Sequence, residues 1–341
     1  MPTTDIIPEM ALNKPTSALG ISSINIDQAE ETGGILGVFS KPPVDTLLQK
    51  SNTVEILPLN PISRGSPLEF ILGPWHDKFV DTSSIRLCGQ IRLRKVDENG
   101  ALSNTTENDD VSVCSNFPLA MWKSLSVLCN ETEVMDVRSS CYPLKSYMDC
   151  LLSFNPHASA SILSTHFFTK QTAGSEDQKK RKASGIDNSA YTANKRFVIG
   201  DKLVEFMSGT FCELFDSQRL MIPGIQFKLK FLPSENDYPL ISELANKGKY
   251  TLELVNAKIL CKLVTVEQNL LPSILSRLDK GESAIYPFVR TSVSVHTVPA
   301  GITSFDFSNL YNGALPTQIL AGFLGNDNFE GTVSCIRNKT R

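Results

Sequence analysis

The sequence predicts a mainly β protein, an antiparallel sandwich. Three observations predict it. Apolar residues alternate with polar ones in many short runs, turn residues separate those runs, and helical periodicity is confined to two stretches. Residues 1–37 are polar with scattered Pro, Gly, Ser and Thr and show no sustained period, so they read as a flexible arm. Val54 and Ile56 flank Glu55 in the first strand run. The longest run follows, with Ile85, Leu87, Gly89, Ile91 and Leu93 on one face and Arg86, Cys88, Gln90, Arg92 and Arg94 on the other. Leu125, Val127 and Cys129 repeat the pattern. So do Ile225, Phe227, Leu229 and Phe231, then Leu252 and Leu254, then Thr291, Val293, Val295 and Thr297. Asn60-Pro61, Gly73-Pro74, Asn99-Gly100 and Pro223-Gly224 mark turns. Tyr142 to Phe154 reads as a helix with Leu144, Met148, Leu151 and Leu152 toward the core. A shorter helix, Ser273 to Lys280, is introduced by Pro272 and closed by Gly281. Residues 174–196 form a polar insertion, expected as an exposed loop.

Composition narrows the function. A net charge of -3 does not suit a protein whose main work is to wrap duplex DNA, so no specific nucleic-acid partner is expected. No run of 18 apolar residues occurs, so no membrane span is expected. The N-terminus lacks a basic start followed by an apolar block, which points to a cytosolic or nuclear product. The 8 cysteines include no C-x-x-C pair, and several sit inside apolar runs, where a reduced thiol acts as a small hydrophobe. The sequons at Asn104, Asn130 and Asn338 have no meaning without a secretory route.

The residue types of a reaction centre are not gathered in the sequence. His76, His157, His166 and His296 lie far apart and read as surface or boundary residues. There is no G-x-S-x-G elbow and no P-loop, and Gly322 with Gly325 reads as a turn. Asp109-Asp110 and Glu131 with Glu133 read as solvated surface. No catalytic group, metal ligand or cofactor is expected. Lys179, Lys180, Arg181 and Lys182 form a candidate nuclear import run, with a plain solvated loop face as the alternative.

Ordered segments across residues 38–333 carry a further signal. They begin with Gly37-Val38-Phe39-Ser40-Lys41-Pro42-Pro43 and Glu55-Ile56-Leu57-Pro58-Leu59. Ser66-Pro67-Leu68-Glu69-Phe70 and Phe79-Val80-Asp81 come next. Met121-Trp122-Lys123-Ser124-Leu125 and Tyr142-Pro143-Leu144-Lys145-Ser146-Tyr147 follow. After them come Leu214-Phe215-Asp216-Ser217-Gln218-Arg219-Leu220 and Pro223-Gly224-Ile225. The last are Tyr286-Pro287-Phe288-Val289-Arg290, Val298-Pro299-Ala300-Gly301 and Phe323 to Gly331. In order and spacing this set resembles the major capsid proteins of Polinton/Maverick elements and related double-stranded DNA viruses. Phe79 and Val80 stand where that family has tyrosine and isoleucine, and Pro223 where it has asparagine.

The resemblance implies a double jelly roll: two antiparallel jelly-roll sandwiches in one chain, assembling as homotrimers with a pseudo-hexagonal outline. It places the first roll at 38–265, with the loop 174–196, a helical connector at 266–284 and the start of a second roll at 285–341. That last stretch is too short for eight strands of about 5 to 6 residues plus loops, so the second roll is expected to be incomplete. The implied function is a structural capsid subunit, not an enzyme. Its partners would be copies of itself in a capsid lattice and minor or penton capsid proteins. Its location would be the virion, reached from the host cytoplasm or nucleus. Arg86, Arg92 and Arg94 are the candidate subunit-contact face, since arginine is enriched at interfaces, with a plain solvent face as the alternative. A second function class stays open: a jelly-roll binding module that recognises a glycan or host surface.

Overall fold

Strand β3 (Phe79–Val96) holds the longest alternation, and the first sheet is built around it. The computed structural model describes residues 48–322 apart from 138–140, 156, 159–160, 170–188, 218, 243–245, 247, 268, 300, 303, 305 and 307–314. The expected arm at 1–37 and the run Lys179–Lys182 lie outside the described residues. Before β3 come β1 (Leu48–Ile56) and β2 (Leu68–Leu72). After it come β4 (Leu102–Asn104), β5 (Val111–Val113), β6 (Trp122–Cys129), β7 (Thr132–Val137), β8 (Val204–Gly209), β9 (Phe227–Pro233), β10 (Leu240–Ser242) and β11 (Tyr250–Val266). The helices are α1 (Phe117–Ala120), α2 (Tyr142–Ser153), α3 (Ser189–Val198) and α4 (Leu270–Asp279). Short 3-10 turns span Ile162–His166 and Glu213–Asp216.

All the named strand pairs are antiparallel. One sheet runs β1-β11-β3, with β8 and β4 both paired to β3; the other runs β2-β9-β6-β7. A small third ladder joins β5 to β10. Setting aside the short β4, β5 and β10, the chain crosses to the opposite sheet at every connection but one, the β6–β7 hairpin. The first and last strands become neighbours, and two four-stranded sheets face each other. This is jelly-roll wiring.

The core lies between the sheets, as the alternation requires. Ile85, Leu87, Ile91 and Leu93 of β3 point inward and are at most 1% exposed, and Phe227, Leu229 and Phe231 of β9 meet them from the other sheet. Phe70 packs edge-on against Phe231, with ring centroids 6.1 Å apart. Burying each such side chain contributes about 2 to 3 kcal/mol. Gly89 belongs to the same inward face because the Phe206 ring of β8 lies over it. A Cβ there would sit 2.7 Å from that ring and 2.8 Å from the Asn256 carbonyl oxygen.

The β6–β7 hairpin turns on two residues, Asn130 (φ 44°) and Glu131 (φ 69°), as a two-residue loop with both φ positive must. The Gln226 N–H donates to the Asn130 side-chain oxygen at 2.9 Å, and the Asn130 N–H donates to the Gln226 carbonyl at 2.9 Å.

Three helical expectations meet different outcomes. Helix α4 closes as read: Gly281 at φ 86° donates to Leu278 O and Glu282 N–H to Arg277 O, a Schellman pair. Its Leu270, Leu271 and Ile274 pack on Phe79, Val264 and Val266 at one end of the roll. Helix α2 forms, but the expected core-facing stripe of Leu144, Met148, Leu151 and Leu152 is incorrect except at Leu151, which packs against Cys150, Leu163 and Phe168. The buried residues are Tyr142, Pro143, Lys145, Ser146 and Cys150, and Leu152 is 57% exposed. Ion pairing lets a lysine take the inner face. Of the loop expected at 174–196, residues 174–188 lie outside the described residues, and the rest is helix α3 from Ser189, whose Tyr191, Asn194 and Val198 are buried. Those positions fall at spacings of three and four, one face of a helix. Thr291 to Thr297 alternates like a strand, yet it is exposed and has no strand partner among the described residues.

Candidate assembly surface

The outward face of the β1-β11-β3-β8 sheet holds the three arginines of the candidate contact surface. Arg86, Arg92 and Arg94 alternate on β3 and project together away from the core. Arg94 is already engaged within the chain. Its Nε donates to Glu253 of β11 at 2.9 Å, one terminal nitrogen meets Asp201 at 2.9 Å, and the same nitrogen donates to Asn104 of β4. The hydrogen bond to Glu253, with help from Asp201, raises the Arg94 guanidinium further above its ordinary range. Arg92 is half-buried, and its Nε has no acceptor among the described residues. Arg86 is exposed and donates to the carbonyls of Ser83 and Ile85 at 2.7 and 2.9 Å. Gln90 donates to Glu205 of β8, and Lys258 of β11 pairs with Glu55 of β1, each at 2.6 Å. The face is thus a set of cross-strand polar pairs. Each is worth well under about 1 kcal/mol in water, but together they fix strand register. Among the described residues, the hydrogen bonds of the Arg86 guanidinium go to carbonyls of its own strand.

A second exposed surface follows α4. Tyr286 anchors the chain as it leaves the roll: its hydroxyl accepts from Ile222 N–H at 3.0 Å and donates to Leu220 O at 3.3 Å. Arg219 donates to the Ile285 carbonyl at 2.6 Å. Beyond this anchor Val289, Val295 and Ile302 are 75%, 52% and 47% exposed. Tyr286 and Arg219 stand in separate sequence motifs, and the hydrogen bonds that tie the two segments together join positions 64 to 66 apart, with no local signature.

Under α2 lies a buried polar cluster that the sequence reading missed. Lys145 Nζ pairs with Asp149 at 3.0 Å and Glu213 at 3.1 Å and donates to Phe211 O at 2.7 Å. Burial alone would pull this lysine down, but the two carboxylates outweigh it and hold it above its usual value. The Tyr142 hydroxyl donates to Thr210 O at 2.7 Å, so α2 is fastened twice to the segment after β8. The Lys145–Asp149 spacing of four was the one visible clue.

His166 departs from the surface or boundary reading: it is 6% exposed. Its Nε2 accepts from Gly209 N–H at 3.4 Å, its Nδ1 has no partner among the described residues, and burial lowers its pKa to about 4. His76, His157 and His296 are exposed. Burial pushes the Cys150, Cys212 and Cys261 thiols up to about 12, which keeps them protonated and inert as nucleophiles. Among the described residues, no group of three or more His, Cys, Asp or Glu is placed to hold a metal ion, and no helix is long and apolar enough to cross a membrane.

No family model matches the sequence, and no curated protein matches it. Solved structures that match in fold include viral ones. The cryo-EM structure of the Sputnik virophage matches with a TM-score of 0.48 and 9% identity, over 76% of this chain and 55% of that one. The Faustovirus major capsid protein gives 0.41 and 10%, over 79% and 61%; the mavirus major capsid protein gives 0.34 and 10%, over 74% and 53%. The chain therefore spans less than two thirds of the length of each. At such scores the fold rests on the strand pairing itself: a mainly β, antiparallel jelly roll whose eight principal strands lie between Leu48 and Val266.

Proposed function

We propose that this chain is a structural capsid subunit of the Polinton/Maverick type, without enzymatic activity, that assembles as a homotrimer and then into a capsid lattice. The observation that carries the reading is the pairing of a finished roll with an unfinished surface. The eight strands bury their own core, whereas the strand-patterned, apolar segment after Tyr286 is left exposed. A jelly roll supplies a stiff tile, and an apolar stretch of alternating residues calls for a cover from further protein. The ordered family motifs at 38–333 support the same reading. On it, residues 38–265 are the first roll, 266–284 the connector, and 285 onward opens a second roll. Arg86, Arg92 and Arg94 contribute to subunit contacts, Arg86 foremost, and Lys179–Lys182 serve nuclear import before assembly. Minor or penton capsid proteins are the further partners, and the virion is the location.

The glycan-binding alternative needs an exposed aromatic platform. Neither tryptophan supplies one, since Trp122 is 3% exposed and Trp75 is half-buried. Light scattering after size exclusion, joined to negative-stain imaging, tests the proposal. Trimers with a pseudo-hexagonal outline are expected, and Arg86→Glu should weaken trimer formation by about tenfold, the loss of one charged contact. A monomer at every concentration would overturn it.

A further inference from the structure

Strand β1 stands at one margin of its sheet. It pairs with β11 on one side, and its other side has no strand partner among the described residues. Outside that ladder, none of the backbone hydrogen bonds among the described residues involves 48–56. With 9 residues and no proline it is the longest of the edge strands described, and it offers a run of open N–H and C=O groups. Val54 and Ile56 face inward beside Cys261 and Ile259 yet are only half-buried, while Ser51, Thr53 and Glu55 are exposed. The same chain holds a strand without a sheet. Val289 to Val298 alternates, is exposed throughout and has no strand partner among the described residues. Its root is fixed at the other margin. The Tyr286 hydroxyl meets Leu220 O and Ile222 N–H, and Met221 between them bridges Val80 of β3 on the side away from β11. β11 and β3 thus lie between the root of this segment and the open edge of β1. One copy presents a lone strand at one margin and a free edge at the other, as a head-to-tail contact between copies requires. Three such contacts can close into a ring.

We propose that residues 289–295 of one copy add as an antiparallel strand to the open edge of β1 in a second copy. Charge and polarity set the register. Arg290 falls opposite Glu55, the one carboxylate of β1, whose side chain is 59% exposed. Ser292 then faces Thr53 and Ser294 faces Ser51 on the outward side. On the inward side Val289 lies beside Ile56 and Thr291 beside Val54, which covers the two half-buried residues of the edge. A slip of one residue would turn the valines outward and set Arg290 on the inner face. The backbone ladder supplies the affinity, and the Glu55–Arg290 pair supplies the register. This contact rests on the assembly reading and names the two surfaces that meet.

The test uses the full chain with Thr53→Cys, with Ser292→Cys, and with both, at positions that are exposed in the single copy. Mild oxidation of an equimolar mixture of the two single variants should give a heterodimer on a non-reducing gel. Mass spectrometry of its peptides should find a disulfide between positions 53 and 292. The double variant should give cross-linked trimers. Thr53→Cys mixed with Val293→Cys, one residue out of register, should cross-link about tenfold less. Arg290→Glu should weaken trimer formation about fivefold in light scattering, and adding Glu55→Arg should restore most of that loss, with cooperative thermal melts throughout. The cross-linking arm keeps the test decisive if the charge exchange does not fold. Trimers that lack the 53–292 cross-link would overturn this contact and leave the assembly reading standing. A monomer at every concentration would overturn both. A 53–292 disulfide inside single chains of the double variant would also overturn the contact, because the segment would then return to its own β1.

Discussion

Single side chains decide how this roll answers acid and substitution. His166 is buried neutral, with a pKa near 4 against an ordinary 6.5. A depressed histidine contributes stability that is present above the unfolded pKa and lost as pH falls through the folded one. Between pH 6.5 and 4 the protein should therefore lose about 3 kcal/mol from this residue, at 1.36 kcal/mol per unit. His166→Gln keeps an acceptor for Gly209 N–H but does not titrate. Urea denaturation at pH 7 and pH 4.5 should show a smaller drop for the variant than for the wild type, and equal drops would refute the assignment. Lys145 makes the opposite case, a charge that must stay. Lys145→Met would leave Glu213, 14% exposed, without its cation, and should destabilise by about 3 to 5 kcal/mol. Denaturant midpoints at neutral pH check this.

At the scale of elements, two positions give clear tests. Gly89→Ala would drive a methyl group into the Phe206 ring and the Asn256 carbonyl, and should cost about 1 to 3 kcal/mol. Phe206→Leu in the same chain should recover only part of that loss, because the carbonyl contact remains; full recovery would show that the ring alone matters. In the β6–β7 hairpin, Glu131 sits at φ 69°, a conformation that favours glycine. Glu131→Gly should raise stability by about 0.5 to 1 kcal/mol, seen as a higher melting temperature. These elements also show what the sequence could reveal. The long alternation of β3, the Phe227–Phe231 face of β9 and the Gly281 stop of α4 were legible because each is a local pattern. The three-residue strands β4, β5 and β10 were not, since such short pieces have no period. Helix α3 was hidden by the polar composition of its surroundings. The inner face of α2 was misread because the partner that lets Lys145 go inside lies 68 residues away. The candidate contact face was half legible: the arginine row on β3 was plain, but the pairing of Arg94 with Glu253 depends on strand register and that with Asp201 on a distant loop, which no local pattern encodes.

At the scale of the whole molecule, the exposed segment after Tyr286 allows folding and the proposed assembly to be tested apart. Val293 and Val295 are 39% and 52% exposed, so Val293→Lys with Val295→Lys should leave the thermal melt within about 0.5 kcal/mol of wild type. If the segment is an assembly surface, the same pair should abolish larger species in light scattering; unchanged association would remove it from that role. The wiring has a consequence for how the protein is made. β11 is the last long strand of the roll to leave the ribosome, yet its place is in the middle, hydrogen-bonded to β1 on one side and β3 on the other. Until residue 250 or so has been synthesised, the newborn polypeptide holds an open slot where that strand will go, with two raw margins facing it. Chains still being translated on one messenger would be at their most adhesive during that interval, when the two margins that β11 will cover are open.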